Sequence, residues 1–470
     1  MNNLIKKFVG FSIGPLIGAF INLITIPLTT YFINPEEYGK ASMFTVFQMM
    51  LATFIYLGID QAYTREYHAL SDKKKLFQNA ISIPMTLSFL IIIISILLPD
   101  LISTMLFGDP AFKIASYLFG MMIFFMVIER FILLDLRMQE KAFEYSVLNI
   151  LVKAVVLVVT LIFVLFIRRD FLAVVYSITI GQILGDLYLI VRYRKILSIT
   201  PLNFDKKLLK GLIIFGFPIV IATSISSLLN SLDKILLRSL SDFTQVGIFT
   251  ATLKVAAVLN IVQSSFTTFW VPNAYRWYEE NKDIFYFKII SEIILLVMSV
   301  MFFAILFSKD LIVTILSTDY ADAKYLVAFL CLQPIIYTIS ETTCLGIVFS
   351  RKSYLSVWVG LIALVPNTLL NLLLIPAYGA VGAAISTAFS YIVFFVVRSI
   401  FSYFNGMKIS VRLHTYIFII LFATACLNSI DLKYIQLFNL IIFILIISLQ
   451  SKTIRNVIHI FKHKEIYDFS

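Results

Sequence analysis

Residues 146–167 read SVLNILVKAVVLVVTLIFVLFI, a run in which Lys153 is the single charge. A helix needs about 20 apolar residues to cross a hydrocarbon core about 30 Å thick, and this stretch meets that length. The same reading recurs along the chain between charged or Pro/Gly/Asn breaks. Candidate spans fall at 8–33, 40–66, 79–99, 112–136, 146–167, 171–191, 211–238, 247–275, 289–307, 325–349, 354–375, 378–401, 413–430 and 435–450. An all-α polytopic membrane protein with about 14 transmembrane helices follows. Composition agrees, since 60% of the 470 residues are hydrophobic, 14% are charged and the mean hydropathy is +0.94. A soluble protein carries about 25% charged residues, so there are too few polar side chains here to cover a water-facing surface.

The net charge of +11 takes its meaning from where the Lys and Arg sit. They lie between apolar runs, and with the N-terminus in the cytoplasm about 25 of the 38 fall on the inner side. That asymmetry is the positive-inside signature. It predicts two cytoplasmic termini and excludes a nucleic-acid partner. The 8–33 stretch is too long for a signal-peptide apolar region and lacks a small-x-small cleavage pattern, so it is expected to stay as a membrane helix. Cys331, Cys344 and Cys426 all fall in apolar segments, which leaves no disulfide framework. His459 and His463 share one helical face in the basic tail but do not read as a metal site. No P-loop, Gly-rich dinucleotide turn or nucleophile elbow is present. External connections are short, the longest at about 308–324, with no room for a folded catalytic module. The expectation is a non-enzyme without cofactors.

The two halves look like copies. Phe11-Ser12-Ile13-Gly14-Pro15 opens the first span and Phe215-Gly216-Phe217-Pro218 the seventh; short external loops ending in Tyr38-Gly39 and Val246-Gly247 follow. An even number of spans separates them, so both copies share one orientation, related by an axis along the membrane normal. This predicts a six-helix lobe over 1–192, a basic linker over 193–210, a second lobe over 211–401, and two additional helices with a basic tail over 402–470. Pro15, Pro27, Pro84, Pro218, Pro334 and Pro366 each remove a helical hydrogen bond and are candidate bends.

Polar residues at helical spacing make continuous faces on four spans. The first carries Ser12, Asn22, Thr25 and Thr29; the second ends in Tyr56, Asp60, Thr64 and Tyr67. The seventh carries Ser227, Asn230, Ser231, Lys234 and Arg238, and the eighth Thr250, Lys254, Asn260, Ser264 and Thr267. Small and hydroxyl residues alone also serve as helix-packing contacts, but Lys234 and Lys254 do not. A charge at a span centre costs about 2.5–3.5 kcal/mol on insertion, so each should line water or meet a partner. The charged set is Asp60, Arg65, Glu129, Arg130, Lys153, Asp186, Asp233, Lys234, Lys254 and Glu341. Arg65 stands close enough to a span end to snorkel. In the spans of Lys153 and Lys254 the cations exceed the acids available to pair them, which implies a hydrated, partly cationic cavity suited to an anion.

Four segments carry a family resemblance. They are Pro35-Glu36-Glu37-Tyr38-Gly39, Gly58-Ile59-Asp60-Gln61-Ala62-Tyr63-Thr64-Arg65-Glu66-Tyr67, Leu232-Asp233-Lys234-Ile235-Leu236-Leu237 with Val246-Gly247-Ile248-Phe249, and Leu374-Ile375-Pro376-Ala377-Tyr378-Gly379-Ala380-Val381-Gly382-Ala383-Ala384. In order and position the chain resembles the polysaccharide-export flippases of the multidrug/oligosaccharidyl-lipid/polysaccharide superfamily, the O-antigen and capsule repeat-unit flippases. The resemblance implies two six-helix lobes in a V around a central cavity lined by spans 1, 2, 7 and 8, with two extra C-terminal helices. It implies, as cargo, an undecaprenyl-pyrophosphate-linked oligosaccharide turned from the cytoplasmic to the outer leaflet, membrane lipids around it, and a polysaccharide polymerase and assembly proteins as partners. Peptidoglycan-precursor flippases of the superfamily tend to place an arginine in the first span, and this one has none.

On this reading Arg65, Arg130, Lys153, Lys234 and Lys254 hold pyrophosphate or acidic sugars, and Asn22 and Asn230 meet hydroxyls. Asp60, Asp233 and Glu341 balance charge or carry a coupling ion. Alternatives remain open at this point: an ion-coupled multidrug exporter or peptidoglycan-precursor flippase of the same superfamily, a membrane glycan-assembling enzyme, and a non-transporting scaffold.

Overall fold

The computed structural model describes residues 17–18, 20–197, 204–350, 352 and 354–462, the side chains of Ala222, Ser226, Leu229, Asn230 and Phe461 excepted. Among the described residues the regular structure is helical throughout. Eight helices are long and apolar enough to cross a membrane. One of them, Tyr354–Phe404, is two helices joined at Gly379, whose φ of 52° and ψ of −128° break the helical path. Three pairs of helices, each bent by more than 40° at a short break, are long and apolar enough only when each pair is taken together: Pro35–Tyr56 with Ile59–Glu66, Phe243–Ala256 with Val258–Glu279, and Ile435–Leu449 with Ser451–Ile460. With the shorter apolar helices Phe20–Phe32 and Arg412–Asn428, the described residues hold fourteen, which fall in order on the fourteen segments read from hydropathy. The protein is a multi-pass membrane protein, and spans are numbered 1 to 14 in that order below.

Pro84, Pro218, Pro334 and Pro366 sit inside helices that continue past them, so none of the four ends its helix. Pro15 lies outside the described residues. The bends exceeding 40° occur after Tyr56 (50°), at Ala257 (42°) and at Gln450 (54°). At the first, Leu57 (φ 48°) and Gly58 (φ 64°) are both left-handed, which ends one helix and starts another in a new direction. The connection at 308–324 is not extended, since Lys309–Leu316 and a short turn at Thr318–Tyr320 fold within it.

By contacts the chain divides into two compact units, Met1–Ile235 and Leu236–Ser470. In the first, spans 4, 5 and 6 (Lys113–Met138, Ala142–Ile167 and Phe171–Arg192) pack around Ile128, Ile132, Leu136, Leu148, Val152 and Leu189. Lipid supplies no hydrophobic drive between helices, so small residues set their approach. Gly181 and Gly185, four apart on span 6, face Val156 and Val152 of span 5 so closely that a Cβ on Gly181 would stand 2.7 Å from Val156 Cα. In the second unit span 10, Ala323–Thr343, is the central helix and nearly every residue of it is buried. Beside it Trp270, Trp277, Phe287 and Met407 form an aromatic-rich core.

The same capping device appears once in each unit. Asn34 caps span 2 by accepting from the Glu37 N–H at 3.0 Å, with Pro35 at the first helical position. The Glu37 carboxylate accepts in turn from the Phe171 N–H at the start of span 6, at 2.8 Å. In the second unit Asp242 caps span 8 by accepting from the Gln245 N–H at 2.9 Å, and Gln245 Oε1 accepts from the Ala380 N–H at the start of span 12, at 2.8 Å. Each cap satisfies helix-terminal N–H groups that lipid cannot satisfy. Span 6 relates to span 2 as span 12 relates to span 8. The Pro-Glu-Glu-Tyr-Gly and Ala-Tyr-Gly-Ala segments are therefore structural joints.

Candidate functional site

The break at Leu57 and Gly58 starts the short helix Ile59–Glu66 at a new angle and turns Asp60 inward, where it is 6% exposed. Arg130, on span 4, meets it with Nη2 at 2.6 Å from Oδ2. The two ends of this ion pair are unequal, with 41% exposure for the Arg130 side chain and 8% for Asp60. The guanidinium also stands 5.7 Å from the Tyr56 ring centroid. Arginine offers five N–H donors. Among the described residues the Nε of Arg130 has no hydrogen-bond partner, so the acid that anchors this cation does not saturate it.

The neighbouring residue, Glu129, accepts from Gln182 Nε2 of span 6 at 2.8 Å. The same amide nitrogen reaches both oxygens of Asp186, at 3.0 and 3.1 Å, and Asp186 is fully buried. One neutral amide thus bridges two carboxylates, which favours a nearby cation. Lys153 supplies it, acting electrostatically on Glu129 from span 5 while remaining exposed. It stands about 17 Å along its helix from Ala142, at 1.5 Å per residue. Gly18 of span 1 lies beside the lysine stem, where an added Cβ would stand 3.6 Å from Lys153 Cγ, an ordinary contact. Nearer the end of span 4, Asp135 is buried and accepts from the Tyr63 hydroxyl at 2.6 Å and from the Gln139 amide.

Arg65 closes the short helix of span 2. Its side chain is 59% exposed, 3.6 Å from Glu66, with the guanidinium 4.3 Å from the centroid of Phe215. With Glu66, Asp205, Lys207, Leu208, Gly211 and Leu212 it lines a cavity of about 450 Å³. Asp205 pairs with Lys75 at 2.8 Å. That hydrogen bond, together with the backbone N–H groups of Leu208 and Lys207, holds its carboxyl down to about 2. The break of span 2 touches span 7 backbone to backbone, so a Cβ on Gly58 would collide with the Gly216 carbonyl and one on Gly216 with the Leu57 carbonyl. No larger residue fits either position at this approach.

In the second unit Glu341 is 9% exposed and pairs with Arg398 at 2.8 Å. The guanidinium also donates to Ser340 Oγ at 2.7 Å and sits 5.4–5.5 Å from the Phe394 and Tyr337 ring centroids. Both ends of this pair are enclosed, at 13% and 11% exposure.

Of the sequence-predicted residues, the structure therefore joins Asp60 to Arg130, places Lys153 by Glu129, puts Arg65 on an open cavity, and gives Glu341 a partner that the sequence reading passed over. Arg398 stands near the end of its apolar run, where a long side chain ordinarily snorkels; its pairing with an acid one span-pair away was the missing signal. Asn22 is exposed on span 1, Asp233 is buried and Lys234 half-buried on span 7, and Lys254 is exposed on span 8. The side chain of Asn230 lies outside the described residues.

A family model described as polysaccharide biosynthesis protein matches residues 4–276. A probable low-salt glycan biosynthesis flippase, Agl15 of Haloferax volcanii, is 24% identical over 154 residues, 32% of this chain, and the chain spans about a third (33%) of the length of that relative. Among solved structures, the lipid II flippase MurJ in an inward closed conformation superimposes with a TM-score of 0.69 at 16% identity, over 97% of this chain and 100% of that one. An inward-facing multidrug resistance MATE family transporter of the MOP superfamily gives a TM-score of 0.60 at 16% identity, over 86% and 99% of the two chains. The fold is the one these transporters share.

Proposed function

This chain belongs to the polysaccharide biosynthesis protein family, and from that premise we propose that it is a flippase for a lipid-linked oligosaccharide. The cargo is an undecaprenyl-pyrophosphate-linked repeat unit, turned from the cytoplasmic to the outer leaflet of a bacterial inner membrane for assembly of a surface polysaccharide such as O-antigen or capsule, where a polymerase receives it. Sugar hydroxyls and pyrophosphate cannot cross hydrocarbon unaided, because each unsatisfied polar group costs several kcal/mol there.

The observation that carries this reading is the unequal burial of charge in the first unit. Asp60, Asp135 and Asp186 are buried, whereas the side chains of Arg65 and Arg130 are 59% and 41% exposed and Lys153 is exposed as well. An anion therefore meets the exposed cations Arg130 and Lys153, while Asp60 and Asp186 in the same unit are buried. Arg130, Lys153 and Arg65 are assigned to the pyrophosphate or to acidic sugars, with Lys234 and Lys254 as further cations. Asn22 and Asn230 are assigned to sugar hydroxyls. Asp60, Asp233 and Glu341 balance charge. With both termini cytoplasmic and the cell interior negative, outward movement of two negative charges is favoured by about 4–5 kcal/mol per 100 mV. The rocking bodies are the six-helix lobes 1–192 and 211–401. No bond is made or broken, so the proposed activity is transport alone.

The test is reconstitution in liposomes carrying a fluorescent undecaprenyl-pyrophosphate oligosaccharide, with a glycan-cleaving enzyme outside. Protein-dependent cleavage of the glycan from the inner leaflet supports the reading. Cleavage that stops at the outer-leaflet half overturns it, and a newly formed glycosidic bond would favour an enzyme instead.

A further inference from the structure

The helix Ser451–Lys462 takes no part in the transport reading. It follows Ile435–Leu449 of span 14 after a bend of 54°, which swings its axis toward the membrane plane. Its sequence, SKTIRNVIHIFK, contains no acidic residue. At about 100° per residue its basic residues Lys452, Arg455, His459 and Lys462 fall within an arc of about 80°, while Ile454, Val457 and Ile460 lie on the other side. One edge is fixed to the protein, where buried Thr453 donates to Glu292 Oε2 of span 9 (Ile284–Phe307) at 3.0 Å. Glu292 also faces Lys288 at 3.8 Å, so this acid is already engaged. The basic edge is exposed along its length, and Ile458, on its flank, is 49% exposed.

We propose that Ser451–Lys462 is an interfacial helix that gathers anionic phospholipid headgroups along its Lys452, Arg455, His459 and Lys462 edge, with Ile458 seated at the acyl boundary. Three features argue for lipid as the occupant. The helix is covalently continuous with a membrane span, so its basic edge is held at headgroup level. Its charge is of one sign, which matches an anionic surface, and a basic amphipathic helix emerging from a bend is the geometry of a surface-lying segment. The inference is independent of what the protein transports.

The experiment uses the full chain in vesicles, with Cys331, Cys344 and Cys426 replaced by alanine and a fluorophore on Ile458→Cys. Quenching is compared between brominated phosphatidylglycerol and brominated phosphatidylcholine at equal mole fraction. A basic residue at the surface enriches anionic lipid by roughly fivefold at about 1 kcal/mol each, so the anionic quencher is expected to act several-fold more strongly. That preference should shrink near 1 M salt, where the Debye length is about 3 Å. Lys452→Gln, Arg455→Gln and Lys462→Gln together should abolish it, whereas Lys452→Arg with Lys462→Arg should retain it. Equal quenching by the two lipids in the parent chain overturns the proposal. So does a preference that survives the triple glutamine variant, or a label that neither lipid reaches because a protein covers it.

Discussion

The carboxylate of Asp60 lies 2.6 Å from the Arg130 guanidinium, yet 8% of the acid and 41% of the base are exposed. A half-open ion pair contributes little to stability because solvent screens it. What it achieves is placement. On the proposed function, the buried acid holds the arginine in place while its exposed part meets the anionic cargo. Arg130→Gln keeps a hydrogen-bond donor and removes the charge. Since a hydrogen bond to a charged group contributes about 1.5–3 kcal/mol, affinity for an undecaprenyl-pyrophosphate glycan should fall about 10- to 100-fold in equilibrium binding. Asp60→Asn should bind at least as tightly as the parent.

The pair in the second unit behaves oppositely. Glu341 and Arg398 enclose each other, so removing one partner strands a buried charge. Arg398→Met alone is expected to cost about 3–5 kcal/mol, and the double change Arg398→Met with Glu341→Leu to recover most of it. Thermal unfolding in detergent of the two single variants and the double variant measures the coupling directly.

Gly216 and Gly58 let spans 2 and 7 touch through their backbones. Gly216→Ala must part them, at a cost of about 1–3 kcal/mol by overpacking. The expected result is faster thiol labelling of Leu208→Cys on the Arg65 cavity in the Gly216→Ala background. An unchanged labelling rate would mean that the contact does not restrict that cavity.

Much of the architecture was legible from apolar run length, because lipid demands helices of one size wherever the chain crosses. All fourteen described spans sit on runs such as 146–167. The breaks were less legible. Prolines announce a lost hydrogen bond, but spans 3, 7, 10 and 11 continue through theirs, while the 50° bend of span 2 rests on left-handed Leu57 and Gly58, a pair whose reading depends on Gly216 far along the chain. Asp60, Arg130 and Lys153 were legible as charges inside apolar runs. Pairing was not, because hydropathy gives the height of a side chain in the membrane and not its rotation about the helix. That is why Arg398 was missed, and why Glu37 and Gln245, read as parts of a family signature and a loop, turn out to tie spans 6 and 12 at their first turns.

The Lys75–Asp205 contact gives a pH signature outside the membrane. The Asp205 carboxyl is depressed from its ordinary 3.8 to about 2, so its stabilising contribution is present above pH 3.8 and lost as pH falls from there toward about 2. Thermal midpoints of the parent and Asp205→Asn should differ at neutral pH and converge across that window. The site is exposed, so the difference is expected to be small.

The central claim is that open cations anchored by buried acids receive an anionic lipid head. Its most direct measurement is the translocation rate, in liposomes, of undecaprenyl-pyrophosphate oligosaccharide by the parent and by Arg130→Gln with Lys153→Gln. A loss of two charge-assisted contacts predicts a rate at least tenfold lower in the variant at limiting cargo, with normal membrane insertion. A variant that translocates at the parent rate would contradict the account.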